Sequence, residues 1–220
     1  LTTMEQFEEI LQLSNVTQVA AYLKRMPEYS SKWDALDENT LHRGQIEKLL
    51  KKSIFQNFSR IYHFANLEQR KFLDLYSKRY EIRVLKEVMT NIFDHRDTDP
   101  VDVSPYRDFF RLHSNIDVDR ITACSTMEEL ISCLKGNRVL LSRFRRFRNT
   151  KRRLLFDYGM ALDLYYFTQI WNVRKKLFKG KDLEEITRYL RREIRYAEPA
   201  VYPAFQKVLQ HESGKYFMPC

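Results

Sequence analysis

The side chains that most often perform catalysis stand apart from one another in this sequence. Its five histidines are His42, His63, His95, His113 and His211. No two of them lie three or four residues apart, so no helix face offers a pair of imidazoles to a metal ion. His95, Arg96 and Asp97 echo a kinase catalytic loop, but the glycine-rich loop and the Asp-Phe-Gly segment of kinases are missing. These residues therefore predict neither a metal site nor a kinase.

Other catalytic patterns are absent as well. Asp157 and Asp163 are six residues apart on one predicted helix, so they face different directions and form no acid–base pair. The five glycines stand alone, and isolated glycines cannot build a phosphate-binding loop. We therefore predict a protein that is not an enzyme, binds no cofactor and hydrolyses neither ATP nor GTP.

The cysteines give no sign of a structural cross-link. Cys124 and Cys133 are nine residues apart around a predicted short helix, and we expect their side chains to point to different faces. With Cys220 they make an odd set that lacks Cys-x-x-Cys spacing. The sequence thus predicts neither a disulfide framework nor a zinc site.

One stretch of the chain is strongly basic. Residues 1–137 carry a net charge of −2, residues 138–195 carry +11, and the remaining tail is neutral. Most of this excess comes from eight cations that no acidic residue interrupts: Arg138, Arg143, Arg145, Arg146, Arg148, Lys151, Arg152 and Arg153. We take these eight as the candidate partner-binding residues.

Four interpretations of the eight cations are open. They form a solvated helix face whose long stems cover apolar surface, or they dock against an acidic surface of a partner protein. They also suit the phosphates of nucleic acid, because Phe144 and Phe147 between them could stack on bases, although no nucleic-acid-binding motif is present. Finally, they could attract anionic lipid headgroups.

The composition predicts an all-α protein. Only 5 glycines and 6 prolines occur in 220 residues, whereas a sheet-rich chain would need more turn residues. No apolar run reaches the 18 residues of a membrane span, and the first residues lack the pattern of a signal peptide. We expect a cytoplasmic protein, and the absence of an initiator methionine predicts that residues precede Leu1.

Apolar spacing of three or four residues places helices along the first half. A helix over residues 3–13 is followed by a second one, which Ser14 or Asn15 caps and Pro27 ends. A long helix is predicted from a cap at Thr40 through Tyr62. The next predicted helix begins with a capping box of Asn66 and Gln69 and carries Phe72 to Tyr76. A separate helix over Ile82 to Ile92 and a linker over residues 94–105 follow it.

The second half gives a similar series. A short element lies between Asp117 and Ile121, and Ser125 with Glu128 forms a capping box for a helix that Gly136 stops. The remaining features are a long helix from Asn149 or Thr150 to Gly180, a helix that Asp182 begins and that reaches Ile194, and a last segment bounded by Pro199 and Pro203.

The two halves resemble each other at a shift of 111 residues. Residues 14–24 align with residues 125–135, and the serine, leucine and lysine at matching positions are identical. At the same shift Trp33 meets Phe144 and Leu36 meets Phe147, and a long apolar-striped helix follows in each half. We therefore predict two similar helical sub-domains, a first repeat over residues 1–113 and a second over residues 114–220.

Three passages resemble the C-type subunit of bacterial and archaeal V/A-type rotary ATPases, whose family includes the d-type subunit of the eukaryotic enzymes. The first is LTTMEQFEEIL at residues 1–11, with VAAYLK at residues 19–24 and Tyr29 after it. The others are YEIRVLKEVM at residues 80–89 and STMEELISCL at residues 125–134. The likeness is one of helical patterns and covers most of residues 1–195.

The resemblance implies a fold and a role. The family fold is a funnel of three similar helical domains around a pseudo-threefold axis, of which this sequence shows two repeats, so we expect a fragment or a diverged member. The implied role is a socket between the central stalk and the membrane rotor ring, which carries torque during ATP-driven ion transport or ATP synthesis and hydrolyses nothing itself. The implied partners are the other subunits of the complex, with no nucleic acid, and the implied location is peripheral, at the inner face of the membrane. A basic helical nucleic-acid-binding protein is the alternative.

Overall fold

The computed structural model describes residues 3–33, 42–94, 101–134, 136, 141, 144, 155–197 and 201–213. These residues are mostly α-helical and contain no β-strand, which confirms the all-α prediction. The helices are α1 (Met4–Leu11), α2 (Val16–Arg25), α3 (Pro27–Trp33), α4 (Arg43–Phe64), α5 (Leu67–Asp94), α6 (Arg107–His113), α7 (Val118–Thr122), α8 (Met127–Cys133), α9 (Leu155–Leu177), α10 (Gly180–Tyr196) and α11 (Val201–Ser213).

The chain divides into two compact units. The first consists of Leu1–Ile61 and Ser104–Tyr106, and the second of Tyr62–Val103 and Arg107–Cys220. These units are defined by contacts, whereas the predicted repeats are defined by similarity between segments. The repeat boundaries at residues 113 and 114 therefore stay a prediction.

The first unit has a small apolar core. Its buried members come from α2, the turn after it and the start of α4: Ala20, Leu23, Met26 and Ile46. Half-buried side chains of α1, α2, α3 and α4 pack around them, among them Ile10, Val19 and Tyr29. Few side chains here are fully excluded from water, so each stabilises the unit less than a fully buried side chain would.

The second unit is organised around a pair of long helices. α5 packs along α9, and α10 and α11 pack against α9 and against each other. α6 and α7 pack on α5, and α8 packs on α7. The core between these helices contains many side chains that are almost wholly buried, including Met89, Phe110, Ile121, Leu130, Leu134, Leu162, Ile170, Leu190, Ile194 and Phe205.

A single helix replaces two predicted ones in residues 67–94. The sequence predicted one helix with Phe72 to Tyr76 and a separate helix over Ile82 to Ile92, but α5 runs through both without a break. Ser77 is buried and its hydroxyl donates to the Asp74 carbonyl at 2.9 Å, and buried Glu81 accepts a hydrogen bond of 2.7 Å from the Ser114 hydroxyl. Because these polar groups are satisfied inside the fold, they do not end the helix.

Other predicted boundaries need correction as well. Val101 and Val103 are buried, so the end of the predicted linker is packed against the protein. The last segment begins after Pro199, but Pro203 lies inside α11, in the first turn, where a missing N–H costs nothing. α10 begins at Gly180, not at Asp182, and Gly180 has a left-handed φ of +53°, a conformation that favours glycine. Thr40, Asn149 and Thr150 lie outside the described residues.

Two of the predicted helix caps are present. The Asn15 side chain caps α2, and Asn66 and Gln69 form a reciprocal pair of 2.9 Å hydrogen bonds at the start of α5. The Asp117 side chain caps α7, a role that was not predicted. The capping box of α8 is one residue later than predicted, because Thr126 and Glu129 form it, not Ser125 and Glu128. Arg70 also donates to the carbonyls of Tyr62 and His63 in the last turn of α4, where side chains often satisfy backbone carbonyls.

Candidate partner-binding surfaces

All eight cations of the predicted partner-binding segment lie outside the described residues: Arg138, Arg143, Arg145, Arg146, Arg148, Lys151, Arg152 and Arg153. Phe144, which lies among them, is described and is 4 % exposed. Its ring makes an edge contact with Tyr158 of α9 at 5.2 Å between centroids. Phe144 therefore belongs to the core, whereas Phe147 lies outside the described residues.

Helix α1 presents an apolar face to solvent. Met4, Phe7 and Leu11 are 73 %, 52 % and 67 % exposed. Their spacing of three and four residues puts them on one side of the helix, while Ile10 packs toward the core of the first unit. The sequence predicted this helix but not that most of its apolar residues are exposed. An exposed apolar stripe on a short helix is typical of a contact with another protein.

A polar network joins α5, α9 and α10 on the outside of the second unit. Lys86 pairs with Asp163 at 2.6 Å, and Arg79 pairs with Glu193 at 3.4 Å. Arg79 also donates to the Tyr76 hydroxyl at 2.6 Å, which lies 3.3 Å from the hydroxyl of Tyr189 on α10. Partial burial and the contact with Tyr76 raise the pKa of Tyr189 to about 12, so its hydroxyl keeps its proton at neutral pH.

Arg174 of α9 is a buried cation that sequence reasoning missed. Its guanidinium carbon lies 3.4 Å from the centroid of the Trp171 ring, and it donates to the Trp171 carbonyl and, at 3.2 Å, to the Thr187 hydroxyl of α10. Burial lowers the pKa of Arg174 to about 10, so the group stays charged at neutral pH. It holds α10 against α9 by cation–π stacking and hydrogen bonds.

The prediction that the side chains of Cys124 and Cys133 point to different faces was wrong. The Sγ atoms of Cys124 and Cys133 are 3.6 Å apart and both side chains are half-buried. Cys124 follows α7 while Cys133 ends α8, and the packing of these two helices turns both thiols to the same side. The pKa of the Cys124 thiol is raised to about 11, mainly by burial and to a smaller extent by the neighbouring Cys133. The spacing along the sequence gave no sign of this packing.

The described part of the chain contains no group of three or more metal-binding side chains. None of its helices is long and apolar enough to cross a bilayer. Asp163 is held by Lys86 and faces α5, and Asp157 takes no part in that ion pair. The surfaces that remain as candidates for function are therefore the α1 stripe, the basic segment and the polar face of α5, α9 and α10.

Comparison with known proteins gives one match. The sequence profile of the family described as ATP synthase (C/AC39) subunit matches residues 1–196. No curated protein and no solved structure matches the chain.

Proposed function

The chain belongs to the ATP synthase (C/AC39) subunit family, and on that premise we propose that it is a non-catalytic connector between the central stalk and the membrane rotor ring of a V/A-type rotary ATPase. In this role it transmits torque during ATP-driven ion transport or ATP synthesis. The observation that carries the proposal is the family match, which extends over residues 1–196 of 220. An all-helical fold agrees with it.

The sequence supports a role without catalysis. The glycines stand alone, so no backbone loop is available to hold the phosphates of a nucleotide. The histidines and carboxylates likewise form no acid–base or metal-binding pattern. In the proposed connector, ATP is hydrolysed by other subunits, ions pass through other subunits, and this chain acts by binding its neighbours from a peripheral position at the inner face of the membrane.

Two surfaces of different chemistry support a role in assembly. The stripe of Met4, Phe7 and Leu11 would bury apolar area against a neighbour, a contribution that is insensitive to salt. The eight cations of residues 138–153 would attract an acidic surface, and salt weakens such attraction because it screens exposed charges beyond about 8–10 Å at physiological ionic strength. A connector with two neighbours has use for both kinds of surface.

A pull-down against purified stalk and ring subunits tests the proposal. We expect the chain to recover both, and we expect recovery through the basic segment to fall as salt rises. Arg145→Glu with Arg146→Glu should slow association and leave the fold intact, because exposed charges act mainly on encounter rate. The matched control is Lys51→Glu with Lys52→Glu, which reverses two exposed neighbouring cations of α4.

Two outcomes would count against the proposal. If the chain recovers neither stalk nor ring subunits at any salt concentration, the connector role is wrong. The chain could instead bind a labelled DNA duplex in fluorescence anisotropy. If its affinity for the duplex falls steeply as salt rises, and also falls in the Arg145/Arg146 variant, the nucleic-acid-binding alternative replaces the connector role. If the Lys51/Lys52 control and the Arg145/Arg146 variant lose the same amount of binding to the stalk and ring subunits, the basic segment is a solvated helix face and not a docking surface.

A further inference from the structure

A cavity lies among α5, α9 and α10 in the second unit. Its volume is about 440 Å³, within the range of sites that hold small molecules. One face of α5 supplies Arg79, Ile82, Arg83 and Lys86, which follow helical spacing. The other walls come from α9 and from the end of α10: Asp163, Tyr166, Phe167, Glu193, Tyr196 and Ala197.

The charges around this cavity do not balance. Three cations face two carboxylates, and the carboxylates are both engaged, since Asp163 pairs with Lys86 and Glu193 pairs with Arg79. Arg83 is left at the exposed edge, and no described residue pairs or hydrogen-bonds with its guanidinium. The cavity therefore offers one positive charge with a planar set of donors that suits a carboxylate or a phosphate.

A second donor also lines the cavity. Tyr166 is only 7 % exposed, it lines the cavity, and its hydroxyl makes no hydrogen bond with the described residues. Burial raises the pKa of Tyr166, so the hydroxyl keeps its proton and remains a donor at neutral pH. The hydroxyl is therefore available to donate a hydrogen bond to a ligand oxygen.

Part of the wall is apolar. Ile82 and Phe167 are buried side chains that line the cavity, and the rings of Tyr166 and Phe167 lie 5.1 Å apart between centroids. Such walls favour a ligand with an apolar or aromatic body, because the contact removes apolar area from water. A bare inorganic anion would leave this surface unused.

We propose that the cavity among α5, α9 and α10 binds a small organic anion, whose carboxylate or phosphate group is held by the Arg83 guanidinium and the Tyr166 hydroxyl and whose apolar body lies against Ile82 and Phe167. This inference goes beyond the connector role and does not depend on it. It assigns to the chain a ligand site in addition to its protein contacts.

Isothermal titration calorimetry with phenyl phosphate as the probe tests the site. We expect saturable binding to the full chain, and binding of inorganic phosphate at least about tenfold weaker because it lacks the ring. Arg83→Gln should weaken phenyl phosphate binding about ten- to hundredfold, the range for a lost hydrogen bond to a charged group. Tyr166→Phe should weaken it about three- to tenfold.

The matched control is Arg188→Gln, which removes an exposed arginine of α10 that does not line the cavity and should leave binding unchanged. Circular dichroism would verify that each variant is folded, and Tyr166→Phe keeps the ring, so it tests the hydroxyl without disturbing the packing. The proposal is overturned if phenyl phosphate does not bind at about 10 mM, a concentration that detects even very weak sites. It is also overturned if Arg188→Gln weakens phenyl phosphate binding as much as Arg83→Gln does. Binding of a glutamate-rich peptide without any binding of phenyl phosphate would overturn it as well.

Discussion

The helix pair α1–α2 and the helix pair α7–α8 begin their second helices in the same way. The Asn15 side chain accepts from the Gln18 amide at 2.9 Å, and 111 residues later the Thr126 hydroxyl accepts from the Glu129 amide at 3.2 Å. The Gln18 side chain in turn accepts from the Ser14 amide, as the Glu129 side chain does from the Ser125 amide. The cap geometry therefore follows the shift that the sequence alignment predicted.

Burial separates the two pairs. In the second pair Ile121, Leu130 and Leu134 are almost completely buried, and α7 packs on the long helix α5. At the matching positions of the first pair, Ile10 and Val19 are only half-buried, and Leu23, which matches Leu134, is buried. Equal capping with unequal burial shows that nearby residues determine where a helix starts, whereas the rest of the fold determines how much its apolar face contributes to stability. The exposed face of α1 is thus available for a neighbouring protein.

The largest expected contrast concerns equivalent core positions. Leu130→Ala should destabilise the chain by about 2–5 kcal/mol, because it leaves a cavity at a fully buried site. Val19→Ala, at the matching position of α2, should cost about 1 kcal/mol or less, because fewer atoms lose their packing. Urea unfolding followed by circular dichroism measures both. Equal losses would mean that the two pairs do not differ in burial as described.

The thiol pair is a second difference, since the positions that match Cys124 and Cys133 hold Leu13 and Tyr22. In a Cys220→Ser background we expect hydrogen peroxide to oxidise the two thiols to a disulfide, with peroxide reduced to water and a mass loss of about 2 Da. The cross-link should stabilise the second pair by at most about 2–3 kcal/mol, the value for a ten-residue loop.

Burial and the neighbouring Cys133 raise the pKa of Cys124 to about 11, so this thiol is mostly protonated at neutral pH. Because the thiolate is the reactive form, the rate should rise as pH increases from neutral toward that pKa. Mass spectrometry and thermal unfolding provide the measurements, and Cys133→Ser is the control. An oxidised chain without the internal disulfide would contradict the 3.6 Å geometry.

We expect the two helix caps to contribute equally to stability, whereas the core positions contribute unequally. Asn15→Ala and Thr126→Ala should each destabilise the chain by about 1 kcal/mol, because each leaves an N-terminal amide of its helix without an acceptor. Unfolding curves of the two variants give the comparison directly. A loss at one cap with none at the other would show that the shared hydrogen bonds are not equivalent.

The smallest effect is expected on the exposed face of α1. Phe7→Ser should change the stability of the isolated chain by less than about 0.5 kcal/mol, as is usual for an exposed position. Val118→Ser, at the matching buried position of α7, should be clearly destabilising because it puts a hydroxyl into the core. If Phe7→Ser proves as costly as Val118→Ser in thermal unfolding, the α1 face is packed within the chain.

Sequence reasoning succeeded where the signal is local. The all-α class, the cap at Asn15 and the box of Asn66 and Gln69 depend on neighbouring residues, and all are present. It failed where distant helices decide the outcome. The buried hydrogen bond of Glu81 with Ser114 joins residues 33 apart, and the approach of Cys133 to Cys124 depends on how α8 packs on α7.

The same reason explains what was missed at the candidate sites. The cavity takes residues from α5 and from the consecutive helices α9 and α10, and α5 is far from both in the sequence, so no motif could reveal it. In the sequence, Arg174 is one of several cations near the end of α9. Only the structure shows that it stacks on Trp171 and is buried. The basic segment was visible in the sequence, and its role as a docking surface stays a prediction.

The central claim is that this chain couples the other subunits of a rotary ATPase without catalysing a reaction itself. ATP-driven ion uptake, of protons or sodium, into vesicles that contain the rotary complex tests it most directly, with and without this chain. We expect that the complex without the chain hydrolyses ATP but takes up no ions, that adding the chain restores uptake, and that the isolated chain hydrolyses no ATP. Uptake that is equally fast without the chain, or ATP turnover by the isolated chain that a point substitution in it abolishes, would contradict the claim.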